Sequence, residues 1–529
     1  MNDARRALLT ALGIGTTLGL LPASSAWAYQ MPANANTSSN LAEKTVIQAE
    51  TQQAYAPTYD VVVVGAGGAG LAAAASAAAA GLSVIVLEKM PNVGGNTLRA
   101  GGYFNAVAAS KTGARADSEA LFLAQTLKSG GGRNDEQVVR ALVANATPTL
   151  NWLTSLGMRF NPEPMEVWGS EWPRSHRPTE PRGQGYIRVL TTALLRAGGI
   201  IETEARATKL LQNPSGRVIG VRYISTRKAR PNRRPDPATN DNVATDAITA
   251  PTESETVYAR KAVVLAAGGF AASGAMMRRW AAPWAELATD NNPGNTGDML
   301  LAAEEIGAKL INLELVQVVP GAPGATAVRL DTDISRSILL NSLGERFVEE
   351  DAPRNVLAAA IVRESKRGPI FSVTVQSTVD RLDVVSQRDI YRGLETGAAW
   401  RAESVAELAR LLHVRESTLV QTLTSYAQEV SLRQGKCAHL SCVPLDAAPY
   451  WAAPITMTVH STLGGVAINA HGQVLNTHDT PIAGLYAAGE VTGSVHGVNR
   501  LGGNGIADAI TFGRIVAADI LAQLGATSH

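Results

Sequence analysis

An α/β fold with a second, inserted α+β domain is what this 529-residue sequence predicts, and three observations predict it. The first is Tyr59 to Thr97. Val61 to Val64 is an unbroken β-branched run, which suits a strand buried on both faces. Gly65, Gly67 and Gly70 follow at G-x-G-x-x-G spacing. Leu71 to Ala80 is nearly all alanine, and an apolar strand, Ser83 to Leu87, ends in Glu88. The second is a late return, where Gly484 to Ala488 reads as one more buried strand turning into Gly489 and Glu490. The third is a change of texture over 314–452, with short strands, a turn at Gly344 and a helical pair across Ser404 to Val430. Residues 58–313 and 453–525 then make one Rossmann-like domain in two parts, interrupted by 314–452.

The loop Gly65-Ala66-Gly67-Gly68-Ala69-Gly70 sits where a dinucleotide-binding βαβ unit needs it. The first glycine permits a tight turn, the second lets backbone approach a pyrophosphate, and the third lets the helix press onto the sheet. Free N–H groups at the helix start favour the pyrophosphate charge, and Glu88 is placed for a ribose hydroxyl. Asn96-Thr97 and Ala100-Gly101-Gly102 follow closely. A nicotinamide enzyme has no need of the Gly484–Glu490 return. In two-part FAD proteins such a strand closes over the ribityl chain and flavin, so the pairing predicts non-covalent FAD. The candidate cofactor residues extend to Lys89, Ala205, Ala267, Gly268, Asp298, Gly489, Glu490, Gly505 and Ile506.

In chain order, residues 1–28 read as an export signal. Arg5-Arg6 precedes an apolar run from Ala7 to Leu21, and Ala26-Trp27-Ala28 resembles a cleavage site. The run is too short for a comfortable membrane span. The arginine pair predicts the twin-arginine route, which carries proteins already folded around a cofactor to the periplasm. Residues 29–57 are a polar linker. Residues 134–157 have helical spacing, 199–224 look like the two strands of a hairpin, and Ser225 to Glu255 is a polar insertion. Lys261 to Ala267 is a further buried strand, and Gly505 to Leu524 a closing helix. A net charge of +1 lacks the basic excess that nucleic acid demands. Cys437 and Cys442 are the only cysteines; their spacing encodes neither haem attachment nor a cysteine-ligated cluster, and leaves a disulfide and two buried thiols both open. No histidine spacing suggests a metal.

His460-Ser461-Thr462-Leu463-Gly464-Gly465 and the run from Gly489 through His496-Gly497-Val498-Asn499-Arg500-Leu501 to Asn504 resemble the soluble fumarate reductase family. The resemblance spans nearly all of 58–525. It implies a mobile capping domain over the FAD domain, with the active site between them. It implies that Arg500 clamps a substrate carboxylate, that His460 binds the same group, and that Arg354 donates a proton. Thr332-Asp333-Ile334-Ser335-Arg336 resembles the family segment that binds substrate and feeds protons to the donor, which gives Thr332 a binding role and Asp333 and Arg336 a relay role. Two positions depart from the family: Val319 and Val459 stand where fumarate reductases carry histidines. Loss of the first removes a partner for a second carboxylate, so a monocarboxylate with an apolar or aromatic end fits better.

The chemistry these residues suit is reduction of a C=C bond conjugated to a carboxylate. Hydride passes from flavin N5 to the β carbon, and charge spreads into the carboxylate that Arg500 grips. Arg354 protonates the α carbon. Electrons are expected from a separate donor, a small c-type cytochrome. Fumarate reduction, the reverse dehydrogenation, and a non-catalytic electron-transfer flavoprotein are the alternatives.

Overall fold

A computed structural model describes residues 56–107, 116–167, 172–225, 254–322, 328–330, 333–352, 354–438 and 440–526. The export segment, Thr332 and most of the Ser225–Glu255 insertion lie outside the described residues.

The chain opens with β1 (Thr58–Val64), α1 (Gly68–Ala79) and β2 (Val84–Glu88). Helix α2 (Glu136–Ser155) is capped by Asp135, whose carboxylate accepts from the N–H groups of Gln137 and Val138. Then come β3 (Ile200–Thr203), β4 (Ala205–Gln212), β5 (Val218–Ser225), β6 (Ser254–Leu265) and the two-residue β7 (Ala288–Thr289). The middle of the chain supplies β8 (Val316–Gly321), β9 (Ile338–Leu340), α3 (Arg354–Ser365), β10 (Ile370–Val375), β11 (Trp400–Ala402), α4 (Val405–Leu412) and α5 (Glu416–Leu432). The long β12 (Tyr450–Thr462), then β13 (Gln473–Leu475), β14 (Pro481–Ala487) and α6 (Asn504–Ala526) complete it.

Among the described residues, one eight-stranded sheet runs β13-β14-β6-β1-β2-β3, with β5 on β6 and β4 on β5. Strands β14, β6, β1, β2 and β3 are parallel neighbours. Burial on both faces is why Val61 to Val64 and Val84 to Leu87 read as apolar runs. Helix α1 is alanine-rich because it is pressed from two sides. A Cβ on Gly70 would stand 1.9 Å from Gly65 O, and one on Gly513 of α6 would stand 2.4 Å from Ala69 O. The second sheet, of six strands, runs β8-β12-β10-β9, with β11 and β7 also on β12. Strand β12 leads the chain from that sheet directly to His460.

Three boundaries differ from the sequence reading. Helix α1 starts at Gly68 rather than Leu71, because Gly67 is its cap. Strand β6 starts well before Lys261, because its first half pairs with β5. The region 199–224 is not one hairpin: Ile200 to Thr203 pairs in parallel with β2, and the hairpin is β4 with β5. The break between β3 and β4 is Glu204 alone, at φ 58°. Cys437 and Cys442 form a disulfide with Cα atoms 5.3 Å apart, which resolves the alternatives the spacing left open. No helix among the described residues is long and apolar enough to cross a membrane.

Candidate active site

A cavity of about 1510 Å³ runs from the glycine loop to α3. At one end the three glycines hold three different positions. Gly65 has φ +106° and its absent side chain makes room for Ala266 O, which would lie 2.3 Å from a Cβ. Gly70 gives α1 its contact with Gly65. Gly67 instead faces open space, with nothing nearer than Gly94 O at 4.0 Å from a Cβ, and it lines the cavity. Its N–H and its neighbours' stand at the N-terminus of α1, as a pyrophosphate would require. Thr97 Oγ1 accepts from Gly68 N at 3.0 Å, tying the second glycine-rich turn to the loop.

Glu88 is buried at the end of β2. Its Oε2 accepts from Ala66 N and its Oε1 from Met90 N, both at 2.8 Å. A carboxylate oxygen accepts more than one hydrogen bond, so the pair is fixed in place and still able to receive ribose hydroxyls. Further along, Lys89 Nζ donates to Thr296 Oγ1 (2.6 Å) and Asp298 Oδ2 (2.9 Å). Asn96 Nδ2 donates to Glu490 Oε2 (2.8 Å), while Glu490 Oε1 accepts from Thr462 N (3.0 Å). Of the sequence-predicted cofactor residues, Ala66 and Gly70 stand behind the wall; the others line the cavity, including Ala100, Gly101, Gly102, Ala205, Ala267, Gly268, Gly489, Gly505 and Ile506. This donor set fits FAD: a backbone cradle without side chains, a helix N-terminus, and an acid held at a strand end.

That fit carries a prediction. Gly67 has φ −79°, so a side chain is tolerated by the backbone. Gly67→Leu is expected to leave the apoprotein's melting midpoint within about 2 °C, because nothing is displaced. It is expected to cost at least about tenfold in FAD affinity, because the side chain fills the approach to the loop. Apoprotein melting and FAD titration check this.

At the other end, Arg500 and Arg354 are both buried and both line the cavity. Arg354, the first residue of α3, donates from Nη1 to Arg500 O at 3.3 Å. Burial pushes both guanidinium groups below the usual arginine range. For Arg354 the nearby Arg500 and Arg329 push further down; for Arg500 the carboxylates Glu490, Asp508 and Asp290 work the other way. Two cations crowded in one buried wall favour an anion between them, and a depressed guanidinium is a better acid than a free one.

His460 also lines the cavity, with Nδ1 2.8 Å from Asp290 Oδ2. Val319 is buried in β8 and contributes apolar wall. Asp333 and Arg336 line it too, and form an i,i+3 pair at 3.6 Å. Asp333 Oδ1 accepts from Ser335 N and Oγ, which fixes the turn.

Residues that sequence reasoning missed support the wall or line it. Gln317 Oε1 accepts from Arg500 N (2.8 Å), and its Nε2 donates to Asn499 Oδ1 (3.1 Å), so β8 holds the Asn499-Arg500 loop in place. Arg329 Nη2 donates to Pro320 O (2.9 Å), and its Nη1 lies 3.6 Å from Asp290. No motif marks any of these: Gln317 reaches the Asn499-Arg500 loop from β8, and Arg329 reaches Asp290 from outside any strand.

The family described as FAD binding domain matches residues 60–506. The chain is 30% identical over 526 residues to an NADH:acrylate oxidoreductase of Vibrio harveyi, covering 87% of this chain and 50% of that relative. It therefore spans about half the length of that relative. It is 31% identical over 509 residues to a fumarate reductase (cytochrome) of Shewanella frigidimarina, covering 94% of this chain and 83% of the relative. The solved open conformation of a flavocytochrome c3 fumarate reductase superposes with TM-score 0.68 at 29% identity, covering 90% of this chain and 81% of that one. With a glycine cradle and a fixed acid at one end of the cavity, and most of the chain matched, the protein belongs to the FAD-binding flavoproteins of the soluble fumarate reductase type, with FAD as its cofactor.

Proposed function

We propose that this chain is an FAD-dependent oxidoreductase that reduces the C=C bond of an α,β-unsaturated carboxylate. The observation that carries the reading is the meeting of Arg354, Arg500 and His460 in the one cavity that the glycine loop opens onto. Bound non-covalently and reduced, FAD supplies the hydride. Arg500 presents a two-pronged fork to the carboxylate, and its hold strengthens as negative charge moves into that group during reaction. His460 adds a donor to the same group. Arg354 gives its proton to the α carbon and is recharged through Arg336 and Asp333. Burial keeps water from competing for the proton. Thr332 joins the substrate contacts in this reading.

The substrate end formed by Val319 is apolar, and Arg329 beside it is engaged by Asp290 and Pro320 O. The favoured substrate is therefore a monocarboxylate with an apolar or aromatic end. Val319→His is expected to raise kcat/KM for fumarate relative to cinnamate by about tenfold or more, because a second carboxylate regains a donor. Steady-state assays of both substrates on both proteins check this.

Residues 314–452 act as the cap, residues 1–28 direct export to the periplasm, and a small c-type cytochrome delivers electrons. The cytochrome-linked name of the Shewanella relative supports the last of these. The deciding experiment is to reduce the purified holoprotein without oxygen, add fumarate, acrylate, crotonate or cinnamate, and follow flavin reoxidation. Failure of every enoate would leave a non-catalytic electron carrier.

A further inference from the structure

We propose that Gln317 is a positioning residue that aims the carboxylate clamp, by fixing the main chain from which the Arg500 guanidinium extends. This rests on the enoate-reduction reading and deepens it, by saying what gives Arg500 its direction.

The guanidinium has little to direct it locally. Its Nη1 lies 3.5 Å from Leu501 O, at the long limit for a hydrogen bond. Behind it is Gly505, where a Cβ would stand 3.0 Å from Nη1. Neither contact sets an angle, so the aim of the fork is inherited from its backbone. That backbone is held on both sides. Gln317 Oε1 accepts from Arg500 N at 2.8 Å, and Arg500 O accepts from Arg354 Nη1 at 3.3 Å.

The amide of Gln317 can stand only one way round. An N–H needs an acceptor, so Oε1 faces Arg500, and Nε2 is left to find an acceptor of its own. It finds Asn499 Oδ1 at 3.1 Å. Asn499 Nδ2 then donates to Ser129 Oγ at 2.9 Å, and that hydroxyl donates to Asn499 O at 2.8 Å. Every donor meets an acceptor along Arg500, Gln317, Asn499 and Ser129, and the last of these belongs to the final turn of the helix Glu119–Gly130. Gln317 itself is 4% exposed and stands behind the cavity wall, so it acts through Arg500 rather than on a substrate. Strand β8 brings it there at the step where β12 carries an extra residue. Gln317 is opposite Ser461 and Val318 is opposite Val459, which leaves His460 over. One irregular step thus serves both groups that the reading places on the substrate carboxylate.

The test measures kcat and KM for acrylate and cinnamate in wild type, Gln317→Met and Ser129→Ala, with FAD absorbance verifying that each is loaded. Methionine keeps the volume of Gln317 and supplies neither of its hydrogen bonds. KM is expected to rise about tenfold in Gln317→Met, with kcat within about threefold of wild type. Ser129→Ala removes the far end of the chain without touching the buried strand, and is expected to raise KM about threefold. It carries the test if Gln317→Met does not load FAD. Arg500→Lys supplies the discriminating background, because a lysine is a point charge on a flexible stem and has no fork to aim. There Gln317→Met is expected to cost less than about twofold more in KM. An unchanged KM in the loaded variants, or the same loss in the Arg500→Lys background as in wild type, overturns the proposal while leaving the enoate reading intact. A wild type that no enoate reoxidises overturns both.

Discussion

Replacing Arg354 with alanine is expected to lower turnover by about three orders of magnitude while FAD stays bound. Arg354 is 7% exposed and stands at the first turn of α3. Its Nη1 donates to the main-chain oxygen of Arg500. A structural arginine in such a place would be costly, because burial and two neighbouring cations all work against its charge. The same three effects make it a stronger acid, which is what protonation of a carbon centre demands. The expected signature is a fall in kcat with KM changed by less than about threefold, since Arg500 and His460 still hold the carboxylate. Arg354→Lys is expected to recover little. Its ammonium is shorter and carries its proton at one point rather than on a planar fork. Rapid reduction of the variant's flavin without substrate reoxidation would place the defect in the proton step. Retained turnover would remove Arg354 as the acid.

How far the sequence revealed this depended on the range of the interaction. The β1–α1–β2 unit was legible because its signals are local: a run of valines, glycines at fixed spacing and an acid at a strand end. The late return of β14 was legible for the same reason, although its partner β6 is more than two hundred residues away. The β3–β4 break was not, because a single non-glycine residue, Glu204, turns the chain and nothing in its identity signals a positive φ. Asp290 and Gln317 were missed for a different reason. Each acts on a residue far along the chain, His460 or Arg500, and is brought there by pairing along β12. A lone aspartate in an Asn-rich loop has the same local appearance whether or not it meets an imidazole. Val319 lines the cavity with an apolar side chain, and Arg329 near it carried no local signal.

Lys436→Met is expected to destabilise the protein by about 3–5 kcal/mol at neutral pH, the usual cost of breaking a buried ion pair from one side. Lys436 is fully buried in the short helical turn that carries Cys437 of the disulfide. Its Nζ donates to Ile334 O and Ser337 O, both at 2.6 Å, and lies 2.9 Å from Glu350 Oε2. Glu350 also accepts from Leu339 N and from Arg346, which reaches on to Glu349 and Glu429. Methionine fills the volume but leaves a buried carboxylate facing a thioether and two carbonyls without a donor. Those carbonyls belong to the turn that carries Asp333 and Arg336, so turnover should fall at temperatures where the fold survives. The pH dependence gives the sign. Burial alone would raise Glu350, but Lys436 and Arg346 outweigh it and hold its folded pKa below the ordinary 4.5. A carboxylate depressed in this way contributes stability that is present above its unfolded pKa and is lost as pH falls through the folded one. Without Lys436 the folded value rises. The gap between variant and wild type should therefore be widest near neutrality and shrink below about pH 4.5, as Glu350 protonates in both. Urea unfolding of the two proteins across that range measures it. A gap that stays constant with pH would mean that Lys436 acts through packing and its two carbonyls rather than through Glu350.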